Sequence, residues 1–403
     1  MALAKGVADG GRTPAMIDLN SKKKKPYADD SICADHYHRY KEDVALMAEC
    51  GFSSYRFSIS WSRIIPHSDG KVNPEGIAFY NDLINELVKN GITPIITLYH
   101  YDLPVWVFEE LGGWKSRKTI DAFDHYVRTC FENFGDRVKY WLSINEQNMQ
   151  IVYGHWLGTD AGCTDWEKEQ WDINHIMNLC HAKAVIACHE MVEGGKIGPV
   201  PGYVPIYPKT CNPADQIAAM NAEELTEKIW NDTYVYGEYS NFVKRYWKEK
   251  DIHPDIRPGE FALCANPYVE YTDWDWAIDP VGMEYMLRDL YNRYNKPLMI
   301  TENGFGAFDT LTADKKVHDD YRIHFLRENI RAVKRAIDKG VEVIAYCPWS
   351  AVDLLSTSNG VEKRYGLIYV DRTDDDPKQC ERIRKDSFYW YKKVIASNGA
   401  DLD

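Results

Sequence analysis

The chain has 403 residues, of which 45% are hydrophobic and 13% aromatic, so it can bury a large core and is not disordered. Its formal net charge of −13 disfavours nucleic acid and anionic membranes as partners, because an anionic ligand would need a local basic pocket. The N-terminus lacks an apolar stretch of signal-peptide length, and no run of about 18 apolar residues occurs. We therefore expect a cytoplasmic protein with no membrane contact.

The ten cysteines are scattered along the chain and form no Cys-x-x-Cys pair. Such cysteines in apolar or helical contexts are typical of buried reduced thiols rather than of disulfides or zinc sites. We therefore predict no metal and no cofactor.

In chain order, an irregular segment is followed by alternating strand and helix patterns. Residues 1–30 are rich in Gly, Lys and polar residues and carry no periodic apolar pattern, so we predict a loop or frayed tail. Helical spacing of apolar residues then predicts helices near 31–50, 74–90, 119–134, 172–192, 213–250, 282–294 and 319–339. Strand-like apolar runs lie at 54–60, 93–100, 138–146, 196–200, 296–302 and 341–346, with a weaker run at 261–265.

This alternation predicts an α/β fold, a (β/α)8 barrel of parallel strands with active residues at the C-terminal ends of the strands. No linker rich in Pro, Ser or Gly interrupts the pattern, so we expect residues 1–403 to form a single domain. Eight strands close such a barrel and six clear strands are found. Two strands of a closed barrel are therefore unaccounted for.

Two of the strand segments end on a glutamate: 296–302 ends on Glu302 and 138–146 ends on Glu146. A carboxylate at the end of a buried strand costs desolvation energy unless it is used or paired. A single glutamate of this kind is more often a surface or salt-bridged residue. Two of them in Asn-flanked turns suit a two-carboxylate glycosidase, in which one acts as nucleophile and the other as acid/base.

Other polar and aromatic residues have spacings that suit the same chemistry. Arg56, on an earlier strand segment, supplies a charge that keeps Glu302 ionised, and Asn145 can hydrogen-bond a sugar hydroxyl. Aromatic side chains near strand ends could stack on sugar faces, although each of them is more often part of a core; they are Tyr101, Trp106, Trp274 and Trp349.

Several stretches resemble motifs of glycoside hydrolase family 1, the β-glucosidase family, and occur in the same order. They are Tyr55-Arg-Phe-Ser-Ile-Ser-Trp-Ser-Arg63, Thr97-Leu-Tyr-His-Tyr-Asp-Leu-Pro104, Gly112-Gly-Trp114, Asn145-Glu146 and Ile300-Thr-Glu-Asn-Gly304. The resemblance implies that Glu302 is the nucleophile and Glu146 the acid/base. It also implies that Arg56 positions the nucleophile, that His100 and Asn145 bind glycone hydroxyls, and that Trp349 forms a wall of the sugar subsite.

The segment after Trp349 limits the class of substrate that the sequence predicts. It lacks the Glu-Trp pair with which ordinary β-glucosidases bind the hydroxyls at sugar positions 4 and 6. Ser356, Lys363 and Tyr365 appear instead, and a hydroxyl, an ammonium and a phenol suit a sugar phosphate. Their spacing resembles the phosphate-binding signature of bacterial 6-phospho-β-glucosidases and 6-phospho-β-galactosidases, although a basic surface loop is the alternative explanation.

The resemblance therefore predicts hydrolysis of 6-phospho-β-glucosides, such as phosphorylated cellobiose or aryl glucosides, to glucose 6-phosphate and an aglycone. Two family segments have no match: the first strand with its glycone-binding Gln, and the sixth strand with a Tyr that hydrogen-bonds the nucleophile. The barrel could be incomplete, truncated, or completed by other segments or a partner chain. Two further hypotheses stay open, namely a catalytically impaired relative that binds a sugar phosphate or a protein, and a plain β-glucosidase. The sequence also leaves open the choice between gluco and galacto substrates, the aglycone, and whether a homo-oligomer forms.

Overall fold

The structure, a computed structural model, describes residues 9–23, 33–154, 159, 161–164, 166–236, 242, 245, 270–271, 277–356, 360–376 and 378–403. Its α-helices are α1 (Met16–Lys23), α2 (His36–Cys50), α3 (Trp61–Ile64), α4 (Pro74–Lys89), α5 (Lys118–Phe134), α6 (Gln147–Val152), α7 (Trp166–Met191), α8 (Pro213–Glu223), α9 (Ile229–Tyr236), α10 (Pro280–Tyr294), α11 (Asp320–Asp338) and α12 (Asp386–Ala396). Its strands are β1 (Ser54–Ser58), β2 (Thr93–Tyr99), β3 (Tyr140–Asn145), β4 (Lys196–Val200), β5 (Glu270–Tyr271), β6 (Ala277–Ile278), β7 (Leu298–Asn303), β8 (Ala307–Phe308), β9 (Val343–Pro348), β10 (Lys363–Arg364), β11 (Ile368–Asp371) and β12 (Glu381–Arg384).

Six of these strands are parallel and form two sheets, one with the order β1-β2-β3-β4 and one that pairs β7 with β9. In β2 every residue after Thr93 is buried, as expected for a parallel strand with helices on one face and the barrel interior on the other. The six predicted strand segments coincide with these six parallel strands. The α/β fold and the β/α alternation of a (β/α)8 barrel are thus confirmed.

The strand ends at the two glutamates and one N-terminal segment differ from the predictions. Strand β7 runs one residue past Glu302, and β3 ends one residue before Glu146, so of the two glutamates only Glu146 lies directly after its strand. Residues 1–30 were predicted to be irregular, whereas Met16–Lys23 forms a helix. This prediction was wrong for that stretch because its contacts are tertiary: the main-chain N–H of Met16 donates to the carbonyl of Leu103 at 2.8 Å.

The parallel strands do not form a closed ring within the described ranges. There, β4 pairs with β3 alone and β7 pairs with β9 alone, so the two sheets share no backbone ladder. The weaker run predicted at 261–265 lies outside the described residues, as do Trp274 and most of the predicted helical segment 237–250. None of the helices in the described ranges combines the length and the apolarity that crossing a bilayer requires.

The nine cysteines in the described part of the chain carry free thiols. Six of them are buried, which agrees with the prediction of reduced core thiols. Cys163 and Cys347 are partly exposed and Cys211 is exposed, so burial does not extend to all of them. Cys264 lies outside the described residues.

The main core lies between the parallel sheet and the helices that follow its strands. Trp61 stacks on Tyr126 of α5 with ring centroids 5.2 Å apart, and Phe131 meets Trp141 of β3 edge to face at 4.8 Å. These four side chains are at most 2% exposed, and burying an aromatic side chain of this size contributes about 1.5–3 kcal/mol. This packing of helices against strands fixes the positions of the strand ends at which the site lies.

A second set of interactions is ionic and lies under the segment that carries Lys363 and Tyr365. The ammonium of Lys385 donates to the Asp353 carboxylate at 2.8 Å and to that of Asp309. All three side chains are at most 1% exposed. Removing one partner from a buried ion pair leaves an uncompensated charge in a low-dielectric environment.

Arg322 of α11 joins this network to the backbone of the same segment. Its guanidinium donates to the carboxylates of Asp309 and Asp319, both at 2.9 Å. It also donates to the main-chain carbonyls of Arg364 and Tyr365, at 3.3 and 3.2 Å. A buried cation thus fixes the main chain on which two of the predicted substrate-binding residues sit.

We expect Lys385→Met to lower the free energy of unfolding by about 3–5 kcal/mol, because Asp309 and Asp353 would remain buried without their shared cation. Denaturant unfolding followed by circular dichroism measures the change. The matched control is Lys378→Met, because Lys378 pairs with Asp371 at 2.6 Å while 41% exposed, and exposed pairs contribute about 0.2–1 kcal/mol. Equal losses in the two variants would contradict the structural role of the buried network.

Candidate active site

The guanidinium of Arg56 connects the two parallel sheets. Its Nη1 donates to the Glu302 carboxylate on β7, its Nη2 donates to Asn145 Oδ1 on β3 at 2.6 Å, and its Nε donates to Thr97 Oγ1 on β2 at 3.0 Å. The Arg56 side chain is 6% exposed, so these charge-assisted bonds are formed in a low-dielectric environment that strengthens them. One arginine therefore fixes the relative positions of side chains from three other strands.

The Asn145 amide also fixes the orientation and tautomer of His100. Because Asn145 Oδ1 accepts from Arg56, which has donors only, it is the Asn145 Nδ2 group that meets His100 Nε2 at 3.1 Å. Nε2 must then accept, which places the ring proton on Nδ1. Burial, followed by the nearby Arg56 charge, holds the pKa of His100 well below its usual value. The imidazole is therefore neutral with one defined tautomer.

Glu146 lies in a turn with unusual backbone geometry. Its φ is 42° and its ψ is 55°, the left-handed region, which costs a non-glycine residue about 1–2 kcal/mol. Its N–H donates to the carbonyl of Val200 at the end of β4, at 2.6 Å. The carboxyl group accepts a hydrogen bond from the hydroxyl of Tyr101. The surrounding structure thus holds Glu146 in a conformation that it would not adopt alone.

Burial and, to a lesser extent, the charge of Glu302 raise the pKa of Glu146 to about 7, although the hydrogen bond from Tyr101 and the charge of Arg56 act in the opposite direction. Glu302 in contrast is ion-paired with Arg56. The two carboxyl groups therefore have different electrostatic environments. An acid protonated near neutral pH beside a carboxylate paired with a cation can divide proton donation and nucleophilic attack between them.

Asn148 and Gly202 form one side of the pocket around Glu146. The Asn148 side chain bonds to Gly202 twice: its Nδ2 donates to the carbonyl at 2.5 Å, and its Oδ1 accepts from the N–H at 2.9 Å. A Cβ atom on Gly202 would lie 3.0 Å from Glu146 Oε1. The glycine backbone therefore approaches the carboxyl group more closely than another residue would allow.

Trp349, which directly follows β9, is held against the strand that carries Glu302. Its N–H donates to the carbonyl of Asn303 at 2.8 Å, and Tyr346 donates from its hydroxyl to Asn303 Oδ1 at 2.6 Å. A Cβ atom on Gly304 would lie only 1.9 Å from the Trp349 carbonyl oxygen. Only glycine leaves room for this contact.

Ser356, Lys363 and Tyr365 come together beside Trp349. The hydroxyls of Ser356 and Tyr365 are 3.3 Å apart, Lys363 Nζ lies 5.7 Å from the Tyr365 ring centroid, and the Trp349 ring lies 6.3 Å from the same centroid. The side chains of Ser356, Lys363 and Tyr365 are all buried. Burial lowers the pKa of Lys363 to about 8 and raises that of Tyr365 to about 12. A basic surface loop would not be buried, so that alternative explanation is wrong.

All nine residues selected from the sequence lie in the described part of the chain, and the structure brings them together in two adjoining groups. Arg56, His100, Asn145 and Glu302 form one hydrogen-bonded group with Glu146 next to Asn145 in the chain, while Trp349, Ser356, Lys363 and Tyr365 form the second. A cleft lined by Arg56, His100, Glu302 and Trp349, among others, borders the first group and meets the second only at Trp349. Within the described ranges, no set of three or more His, Cys, Asp or Glu side chains is placed to hold a metal ion.

Some residues of the site were missed or misassigned from the sequence. Trp106 is not at the cleft: its ring meets Trp61 at 6.2 Å and its Nε1 donates to the carbonyl of Ile65 at 3.1 Å. Tyr101 was considered only for stacking, whereas its hydroxyl contacts Glu146. Asn148 was not selected at all, although its position three residues after Asn145 could have suggested it.

Comparisons with known proteins agree with this geometry. The profile of glycosyl hydrolase family 1 matches residues 5–265 and 257–400. The aryl-phospho-β-D-glucosidase BglC of Bacillus subtilis is 39% identical over 98% of this chain and 94% of its own length. The 6-phospho-β-glucosidase AscB of Escherichia coli is 37% identical over 96% of this chain and 91% of its own.

A solved structure gives the same result. The family 1 β-glucosidase of Thermotoga maritima superposes with a TM-score of 0.88 at 30% identity, covering 99% of this chain and 95% of that protein. The predicted family resemblance is confirmed. The chain belongs to glycosyl hydrolase family 1 and is a glycosidase that hydrolyses O-glycosyl bonds.

Proposed function

We propose that the enzyme hydrolyses 6-phospho-β-glucosides with retention of configuration, releasing glucose 6-phosphate and an aglycone. The observation that carries this proposal is the buried group of Ser356, Lys363 and Tyr365 beside Trp349. It combines a cation with two hydroxyl donors, a set that matches a phosphate group. The similarity to an aryl-phospho-β-D-glucosidase and to a 6-phospho-β-glucosidase supports the same substrate class.

In the first step, the Glu302 carboxylate attacks the anomeric carbon while protonated Glu146 gives its proton to the glycosidic oxygen. The bond between the anomeric carbon and that oxygen breaks, the aglycone leaves as an alcohol or phenol, and a glycosyl ester forms on Glu302. In the second step, ionised Glu146 takes a proton from water, whose oxygen attacks the anomeric carbon. The ester bond breaks and both carboxyl groups return to their starting states.

The residues around Glu302 orient this reaction. Arg56 holds the nucleophile and, through Asn145, also fixes the imidazole of His100. His100 then presents its Nδ1–H as a donor to a glycone hydroxyl, and its neutral state avoids placing a second buried cation beside Arg56. Such fixed donors cost little reorganisation when the transition state forms.

The second group of residues selects the phosphate. Lys363 contributes the charge, while the hydroxyls of Ser356 and Tyr365 donate to phosphate oxygens. Trp349 lies between this group and the cleft and provides an apolar wall for the sugar ring. A phosphorylated sugar crosses an apolar membrane poorly because an unpaired charge is costly there, which favours a cytoplasmic location.

We expect the wild-type enzyme to cleave 4-nitrophenyl 6-phospho-β-glucoside with a kcat/KM at least 100-fold above that for 4-nitrophenyl β-glucoside. Lys363→Ala should raise the KM for the phosphorylated substrate at least tenfold, because a charge-assisted bond is worth about 1.5–3 kcal/mol. Release of 4-nitrophenol measures both values. The same variant should leave the kcat/KM for the unphosphorylated glucoside within about twofold, which serves as the internal control.

Three results would contradict parts of this proposal. Preference for the unphosphorylated glucoside would identify a plain β-glucosidase. Binding of glucose 6-phosphate by the folded protein without turnover of either substrate would identify an impaired relative. Proton NMR of the sugar should show the β-anomer forming first, and initial release of the α-anomer would exclude a covalent intermediate on Glu302.

The pH dependence of the reaction should report the shifted pKa values of Glu146 and Lys363. Glu146, with its pKa raised to about 7, donates a proton only below that value, so kcat/KM should fall as the pH rises through 7. Lys363, with its pKa lowered to about 8, is charged below that value, so the KM for the phosphorylated substrate should rise above pH 8. Initial rates from pH 5 to about 9.5 test this. In Lys363→Ala the second effect should be absent and the first unchanged.

A further inference from the structure

We propose that Tyr101 is a positioning residue for the acid/base: its hydroxyl orients the Glu146 carboxyl group and stabilises that group when it is ionised. The inference rests on the proposed role of Glu146. It assigns to Tyr101 a function different from stacking on the sugar, and it concerns the half of the cycle in which Glu146 has lost its proton.

The position of Tyr101 is unusual for its residue type. It lies two residues after the end of β2, with a φ of 68°, a left-handed conformation that L side chains rarely adopt. Its ring meets the ring of His100 edge to face, with centroids 5.1 Å apart. From there its hydroxyl donates to Glu146 Oε2. Backbone strain at such a position is tolerated when the surrounding structure fixes it, and it is often found at functional sites.

Tyr101 is the one side-chain donor to the Glu146 carboxyl group among the residues that the structure describes. From β7 the carboxyl faces the charge of Glu302, and from β1 it faces that of Arg56. The segment after β4 presents the Gly202 backbone, on which a Cβ atom would lie 3.0 Å from Glu146 Oε1. Arg56 directs its bonds to Glu302 and Asn145, so the phenol is the group that contacts Glu146 directly.

The phenol acts as a donor and keeps its own proton. Burial raises the pKa of Tyr101 well above its usual value, and the charges of Glu146 and Glu302 raise it further. Its hydrogen bond lowers the pKa of Glu146, against the larger effect of burial. A hydrogen bond to an ionised acceptor is roughly twice as strong as one between neutral groups.

This difference gives the contact a role in the reaction. When Glu146 gives its proton to the leaving oxygen, the negative charge appears on a buried carboxylate, and the Tyr101 hydrogen bond becomes stronger at that moment. An interaction that strengthens as the charge develops accelerates the step instead of only binding the substrate. In the hydrolysis step the same bond orients the carboxylate toward the incoming water.

The test is the pH profile of Tyr101→Phe, which removes the hydroxyl and keeps the ring. We expect the basic limb of kcat/KM to move upward by about one unit or more, because the ionised form of Glu146 loses a charge-assisted hydrogen bond. At the pH optimum, kcat/KM for a glucoside with a poor leaving group should fall at least tenfold. It should fall much less for a 2,4-dinitrophenyl substrate, whose departure needs little proton donation.

Tyr99→Phe is the matched control. Tyr99 is the last residue of β2, two residues before Tyr101, but its hydroxyl accepts from Trp114 Nε1 at 3.2 Å, so its removal deletes a buried hydroxyl that does not contact either glutamate. This variant should keep the wild-type basic limb. If Tyr101→Phe loses activity with an unshifted limb and equal losses for good and poor leaving groups, the hydroxyl has a structural role only and the proposal is overturned.

Glu146→Gln separates this proposal from the assignment of the acid/base. If the pH profile of kcat/KM in that variant keeps the wild-type basic limb, the assignment of Glu146 as acid/base is wrong, and so is the role proposed for Tyr101. If the limb disappears in Glu146→Gln but does not move in Tyr101→Phe, only the role of Tyr101 is overturned. A 13C NMR titration of the Glu146 carboxyl group in a Glu302→Gln background gives the same shift without any need for turnover.

Discussion

The hydrogen bonds of the Arg56 guanidinium are the interaction on which this site depends. In the described residues the sheet β1-β2-β3-β4 and the pair β7-β9 share no backbone ladder, so their relative placement at the site relies on side chains. Arg56, on β1, crosses that gap with its bond to Glu302 on β7, and its bond to Asn145 anchors it within its own sheet at β3. Because guanidinium is planar and permanently charged, both contacts have fixed directions and persist at every relevant pH. A lysine at this position would supply the charge without the fork geometry.

This arrangement explains how one chemical group, the carboxyl, serves in two different ways. Glu302 is paired with a cation, whereas Glu146 lies in a left-handed turn with only a phenol as its side-chain donor in the described part of the chain. Desolvation without a paired cation favours the protonated form, and ion pairing favours the charged form. The difference between the two therefore arises from which strand ends carry Arg56 and Tyr101. In the buried network of Lys385 and Arg322, paired cations likewise hold the main chain of the segment that carries Lys363 and Tyr365.

Much of the fold and the site could be predicted because it is encoded locally. The six parallel strands follow from short apolar runs, and the two glutamates follow from their position where such runs end. The helix Met16–Lys23 has no apolar periodicity and depends on contacts with residue 103, so a local pattern could not reveal it. The hydrogen bond from Tyr101 to Glu146 joins residues 45 positions apart. The burial of Lys363, which excludes an exposed surface loop, is likewise a property of the packed molecule.

The contact between Gly304 and the Trp349 carbonyl has a consequence for how this enzyme could change its specificity. Since a Cβ atom would lie 1.9 Å from that oxygen, the end of the strand that carries Glu302 cannot shift without displacing Trp349. The segment of Lys363 and Tyr365, which we propose for phosphate binding, is tied to the same two places: β10 pairs with β8 shortly after β7, and the N–H of Ser350 donates to the carbonyl of Tyr365 at 3.1 Å. A change of specificity at the 6-position would therefore have to be made in the side chains of that segment, because a displacement of its main chain would also displace the strand end that carries Glu302.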